Sequence, residues 1–417
     1  MIPDRIWNGV DAVPIVNSAV VIEGALIQSV LHTSELPSDL RQVSLDGCTL
    51  IPGLLDAHVH YSPVMGPALL AGGVTTIRDV GNDLEWIIEQ RALNRNDPAL
   101  GPTILCCGQL QDGPKVYWPH MGTANTDPDT IRESVRRHAA LGVDSIKLYS
   151  GLTPDLFAAG VDEGHRHGKF VTAHLGNTST EEAASSGVDG IEHMLGCGVA
   201  WRDATDDEDD ELINLLLRSN VTLDPTLVVW DRLGRIMDHS FLHDQRRRWV
   251  HPTHLRIWSN YSSRLAPPVD RLRKQAAMPH LKRFLKRAHQ GGVIISLGTD
   301  TPFPHLIPGF SIHDELAMYV DAGITPVDAL RSATSINARV LGIESTVGQI
   351  APGMVADLVG VRGNPLDRID EIGNIVTVVH AGHELDLAQM LNRVQASFDQ
   401  EPSDPITLDL LAVAKHA

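Results

Sequence analysis

The chain reads as an α/β protein, a (β/α)8 TIM barrel carrying a small β-sandwich domain formed by the N- and C-terminal segments. Three observations predict this. From Leu54 onward, short apolar strand-like runs alternate with stretches of helical spacing, the rhythm of βα units on a parallel sheet. The first 50 residues and those from about 346 show strand-like runs cut by Pro and Gly instead. The first apolar run of the alternating region ends in His58-Val59-His60, at the strand end where such barrels carry their functional groups.

The elements follow in order. Val13–Ile22 and Ala25–Leu31 are rich in Val and Ile, are separated by Glu23-Gly24, and read as strands. Pro52-Gly53 punctuates the passage into the barrel. Barrel strands are expected at Leu54–His58, Thr75–Asp79, Thr103–Cys106, Ser145–Leu148, Phe170–His174, Gly190–His193, Thr222–Pro225 and Val293–Gly298. Helical spacing fills stretches between them, among them Pro128–Leu141, Pro154–His167 and Thr180–Ser186. Residues 231–292 are too long for a plain connection and should add two or three helices, either a lid or a solvated excursion. After helices at Ile312–Ala322, Pro326–Thr334 and Asn337–Leu341, strands return at Val347–Ile350, Asp357–Val361 and Ile375–Ala381. The expected division is therefore 51–345 for the barrel, and 1–50 with 346–417 for the sandwich.

Composition narrows the function. Hydrophobic content of 43% and charged content of 21% suit a globular enzyme. With 34 Lys+Arg against 52 Asp+Glu the formal charge is −18, which argues against nucleic acid or an anionic membrane as partner. Seven of the nine residues Asp203 to Glu211 are acidic, best read as a solvated helix start or loop, because a calcium loop would need glycine spacing. Cys48, Cys106, Cys107 and Cys197 form no C-x-x-C pair, no run approaches a membrane span, and Met1–Arg5 lacks a signal pattern. A cytoplasmic protein is expected.

The strand ends supply a constellation. Residues i and i+2 of a strand share a face, so His58 and His60 present two imidazoles together. Lys147 lies on the fourth strand, His174 and His193 end the fifth and sixth, and Asp300 follows the eighth. One histidine at a strand end is more often a satisfied core or surface residue. Five such strands converging on one mouth reverse that reading.

These residues, with Pro52–His60, Ala71–Thr76, Gly187–His193, Gly298–Asp300 and the tail Gly348–Val359, resemble the amidohydrolase superfamily over nearly the whole chain. The likeness is to its binuclear-metal, carboxylated-lysine branch, and within it to the prolidase-like and imidazolonepropionase-like members. The resemblance implies two divalent metal ions, zinc foremost, with His58, His60 and Asp300 holding one, His174 and His193 the other. It further implies a CO2-derived carbamate on Lys147, since an ammonium has no lone pair for a metal. A hydroxide held between the two cations would attack an amide carbonyl, with Asp300 as proton shuttle.

The implied partner is a small-molecule amide: a dipeptide, N-acyl amino acid, carbamate or aryl amide. His120, in Tyr117-Trp118-Pro119-His120, is the candidate substrate contact after the third strand, its alternative being an exposed loop histidine. Trp230 stands near the position where prolidase-like relatives carry Tyr, and either meets substrate or packs. Tyr117 and His305 complete the candidate substrate residues. Barrels of this kind often form homo-oligomers, though no surface stripe specifies one. A mononuclear deaminase is the competing enzyme reading, disfavoured because Leu175, Gly176 and Asn177 follow His174 with no Glu and because Lys147 is present. A non-enzymatic scaffold should have lost ligands, and none is missing.

Overall fold

The computed structural model describes residues 1–194, 205–264 and 268–416. Cys197 and Asp203 lie outside the described residues; the acidic run from Asp206 forms the first turn of the helix Asp206–Arg218, capped by Thr205. Carboxylates there meet the positive end of the helix dipole.

The ends of the chain build a β-rich unit. One sheet runs in the order His383–Leu385, Ile375–His380, Leu358–Arg362, Ser44–Pro52, Ile2–Ile6, Ile15–Val16. Ser44–Pro52 pairs parallel with Ile2–Ile6 on one side and antiparallel with Leu358–Arg362 on the other. The hairpin Ser18–Glu23/Leu26–His32 turns at Gly24, whose φ of 58° favours a residue without Cβ. It packs Val20 and Ile27 onto Ile6, Leu50, Leu358 and Val379.

Between these ends lies an α/β region with parallel sheets. Leu54–Val59, Val74–Asp79 and Thr103–Cys106 form one; Leu110–Asp112, Ser145–Leu148, Phe170–His174, Gly190–Glu192 and Thr222–Asp224 form the other, edged by Gly122–Ala124. The predicted eighth strand, Val293–Gly298, differs: it makes one isolated bridge, Ile295 to Leu223, with a second just beyond it from Thr301 to Val59. Side chains meet two of the N–H groups, since Leu297 N–H donates to Asn337 Oδ1 at 3.0 Å and Thr299 N–H to Asp56 Oδ1 at 3.0 Å. The segment still runs between its neighbours, with Ser296 N–H on Leu223 O and Ala57 N–H on Leu297 O, both at 3.0 Å.

The sandwich expectation for 346–417 needs correction. Strand structure ends at Leu385, and the helices Leu387–Ala396 and Pro405–His416 follow. Asp386 caps the first, and Met390 and Val394, four apart, bury one face against Ala68, Leu70 and Ala71. The second places Ile406 and Leu410 against Trp118, Met121 and Trp258. The region 231–292 contains the helices Pro252–Arg264 and Pro268–Gly291, the latter packed on Leu227–Gly234.

Candidate metal centre

His58, His60, Lys147, His174, His193 and Asp300 line one cavity of about 270 Å3, together with Tyr117, Trp118, Tyr149, Trp230 and Phe303. They arrive on five stretches of backbone, His58 and His60 sharing one, and three of the histidines are fixed from behind. His58 Nδ1 meets Glu192 Oε2 at 2.7 Å, and His60 Nδ1 meets the Gly81 carbonyl at 2.9 Å. These contacts leave both Nε2 atoms turned to Asp300 Oδ1, at 3.4 and 3.5 Å, too long for good hydrogen bonds. His193 Nδ1 meets Thr226 Oγ1 at 2.6 Å. The His193 ring lies 4.6 Å from that of His58 and 4.7 Å from that of His174. His193 and Asp300 hold φ of 65° and 66°, a left-handed backbone that non-glycine residues seldom adopt and that concentrates at functional sites.

The donor set fits cations. Asp300 Oδ1 and Lys147 Nζ are buried without a hydrogen-bond partner, and such orphans call for an unseen ligand. His58, His193 and Asp300 offer ligand atoms all within 4.8 Å of one another. Burial, then the cationic Lys147, pushes His174 down to about 3, and burial holds His193 well below the usual imidazole range. Both rings are therefore neutral, with lone pairs free for a metal. Burial also lowers the Lys147 ammonium. The same burial pushes the Asp300 carboxyl up, but the facing His58 and His60 override it and keep the carboxylate ionised.

Beneath this face is a charged support. Glu192 accepts from Arg78 Nη2 at 2.5 Å and from Thr172 Oγ1, besides holding His58. Burial raises its carboxyl, and Arg78, Lys147 and His58 together bring it well below the usual range. His58, Glu192 and Asp224 also cluster closely enough for a cation, but Glu192 is already committed to Arg78, so an ion-pair network accounts for it better.

The sequence-predicted metal ligands are brought together, and so are Tyr117 and Trp230. Two substrate candidates are not. His120 is half exposed, and Asp409 of the C-terminal helix takes its ring at 2.7 Å. His305 turns away to the Ile236 carbonyl at 3.3 Å, between Phe241 and Trp258. Reading the tail as β structure concealed the helix that occupies His120. Glu192, Arg78 and Tyr149 were missed. A lone arginine inside the fully buried strand Val74–Asp79 was a readable signal, and Tyr149 stands two residues beyond Lys147, on the same face.

The sequence profile of the amidohydrolase family matches residues 49–385. The chain belongs to the amidohydrolase family. It is an enzyme that hydrolyses carbon–nitrogen bonds. No curated protein matches it by sequence. Among solved structures, this amidohydrolase resembles a Xaa-Pro dipeptidase with bound methionine in the active site, at TM-score 0.71 and 21% identity, over 92% of this chain and 98% of that one. It also resembles the A. niger ochratoxinase, at TM-score 0.70 and 20% identity, over 92% and 94%. Bottromycin amidohydrolase superposes at TM-score 0.74 and 22% identity, over 94% and 89%. At these identities the likeness speaks for the fold.

Proposed function

We propose that this chain is a two-metal amidohydrolase cleaving a small amide: a dipeptide, an N-acyl amino acid, a carbamate or an aryl amide. The observation that carries the reading is the convergence of His58, His60, Lys147, His174, His193 and Asp300 on one cavity, with two orphaned polar atoms among them. In this reading the two parallel sheets and the bridging segment 293–301 are one (β/α)8 barrel, with the site at the carboxyl ends of its strands.

His58, His60 and Asp300 would hold one divalent cation, His174 and His193 the other, and a CO2-derived carbamate on Lys147 would serve both. Imidazole and carboxylate donors suit zinc. Bound there, such cations polarise a carbonyl and acidify water. The chain's own groups do the rest. Glu192 and the Gly81 carbonyl keep the ring protons of His58 and His60 at Nδ1 and so present Nε2 as the donor atom. Asp300, ionised and facing the cavity, takes the proton of the attacking water and returns it to the departing nitrogen. Tyr117, Trp118, Tyr149, Trp230 and Phe303 form walls that exclude bulk water and favour an apolar or aromatic acyl or amine part.

Metal analysis of the purified protein, with a screen of N-acyl amino acids, dipeptides, carbamates and aryl amides, tests this. Two metals per chain and amide hydrolysis lost on chelation are expected. Ammonia release from aminated heterocycles with one metal per chain would overturn it in favour of a deaminase. A folded Lys147→Ala protein keeping two metals and full activity would remove the carbamate.

A further inference from the structure

A second cavity, about 550 Å3, opens on the far side of Trp230, which lines both spaces. The indole lies 5.8 Å from the His193 ring and 6.0 Å from Lys274 Nζ, so the two cavities are one side chain apart. The second is walled by the helices Leu227–Gly234 and Pro268–Gly291 and the turn after the first of them.

Its charges are unequally partnered. Asp231 is held by Arg232 and Arg235, and Asp238 by Arg235. Arg271 and Lys274 line the same space and make no ion pair among the described residues. Arg271 Nε and Trp230 Nε1 are buried donors with no acceptor. Burial holds the Lys274 ammonium below its usual range, with Asp270 offsetting part of that. Unsatisfied donors and unpaired cations around one void, in a chain of net charge −18, are the chemistry that receives an anion. The metal cavity offers no equivalent: its one Lys or Arg is Lys147, committed to the centre.

We propose that this second cavity binds a carboxylate at the distal end of the amide substrate, with Arg271 and Lys274 as counter-charges and Trp230 standing between the anion and the scissile bond. The proposal rests on the C–N hydrolase reading above and adds a substrate class to it: amides that carry a second, anionic terminus. Lys274 acts as a point charge and Arg271 as a planar donor, a pair able to hold both oxygens of a carboxylate.

Two arms separate the anion site from the reaction. In the first, adipate is titrated into the metal-loaded protein by calorimetry. Saturable binding is expected, weakened about tenfold or more in Arg271→Met/Lys274→Met, the loss of charge-assisted bonds. Lys274→Arg, which keeps the charge, should stay within about threefold. In the second, ω-carboxyacyl 4-nitroanilides of graded length are compared with neutral acyl anilides of matched length. The double variant should raise KM for the acids about tenfold, leaving kcat and the neutral series unchanged. Wild-type and double-variant proteins that bind adipate alike, or not at all, overturn the site. Adipate binding at Arg271 and Lys274 without any preference for the carboxylated anilides overturns the substrate role and leaves a site for free anions. If the enzyme cleaves no C–N bond in any compound, the hydrolase reading falls, while the calorimetric arm still decides the anion site.

Discussion

Asp409 ties the C-terminal helix to the loop that carries Tyr117 and Trp118, and Asp409→Ala measures what that tie is worth. Its carboxylate accepts the His120 and Met121 N–H groups, each at 3.1 Å, and the His120 ring at 2.7 Å. The Asp409 side chain is fully buried, while His120 is 46% exposed. Water can therefore replace the partner of His120, and those contacts contribute about 1 kcal/mol. Met121 is buried, so its N–H is left orphaned at a cost of about 1–3 kcal/mol. The expected loss is thus about 2–4 kcal/mol, read from urea unfolding of the metal-loaded protein. The apolar contacts of Ile406 and Leu410 keep the helix docked, so the damage should concentrate in the loop. Trp118 donates to the Tyr149 hydroxyl at 2.9 Å inside the metal cavity. A loosened loop should raise KM about tenfold with kcat falling less, the pattern of lost uniform binding. Asp409→Asn, which keeps an acceptor oxygen, should fall between. A loss under about 0.5 kcal/mol with unchanged KM would show that the helix does not hold this wall.

Glu192→Gln should lower metal affinity about 10- to 100-fold, because His58 loses the carboxylate that fixes its ring; chelator competition measures this, and unchanged affinity refutes the supporting role. Glu315 accepts the N–H groups of Leu227 and Val228 at 2.8 and 2.6 Å, and burial pushes its carboxyl up to about 8. An unfolded Glu titrates near about 4.3, so the fold binds this proton more tightly. Its stabilising effect is complete below the unfolded value and is lost as pH rises through about 8. In the difference between wild-type and Glu315→Gln unfolding curves, stability should decline across that window, and a flat difference would contradict it. Phe284→Ala empties a fully buried site in the main core and should cost about 3–5 kcal/mol in the same assay, with metal content unchanged.

What the sequence made legible follows from range. Strand alternation and helix spacing are local, so Phe170–His174 and the helix at Pro154 stand where the pattern put them, within a residue. That His58, Lys147, His174 and His193 would share one cavity was equally readable, because a strand fixes the direction of every side chain on it. Partners far apart in sequence were not: Asp409 and His120 are separated by 289 positions, and no local rule joins them. The eighth strand runs where its pattern put it but forms bridges and no full ladder. Asp56 and Asn337 take two of its N–H groups with side-chain oxygens, a pairing invisible to periodicity. His305 shows that sequence proximity is a poor guide past a turn; five residues after Asp300, its ring sits at the Ile236 carbonyl beside Phe241 and Trp258. The helix Leu387–Ala396 was present in the spacing of Leu387, Met390, Leu391 and Val394 and went unread because strands preceded it.

Ser44–Pro52 is flanked by Ile2–Ile6 and by Leu358–Arg362, then runs through Gly53 into the strand that delivers His58. During synthesis the first neighbour is at hand at once and the second is not. At about 5–20 residues per second, roughly 300 residues of chain must follow, so one edge of this strand waits on the order of 15–60 s. Cys48, Leu50 and Ile51, all buried in the finished protein, face that wait uncovered on one side. An open apolar edge of this kind pairs readily with other nascent chains. Truncation before Leu358 should therefore yield aggregates rather than a smaller folded protein.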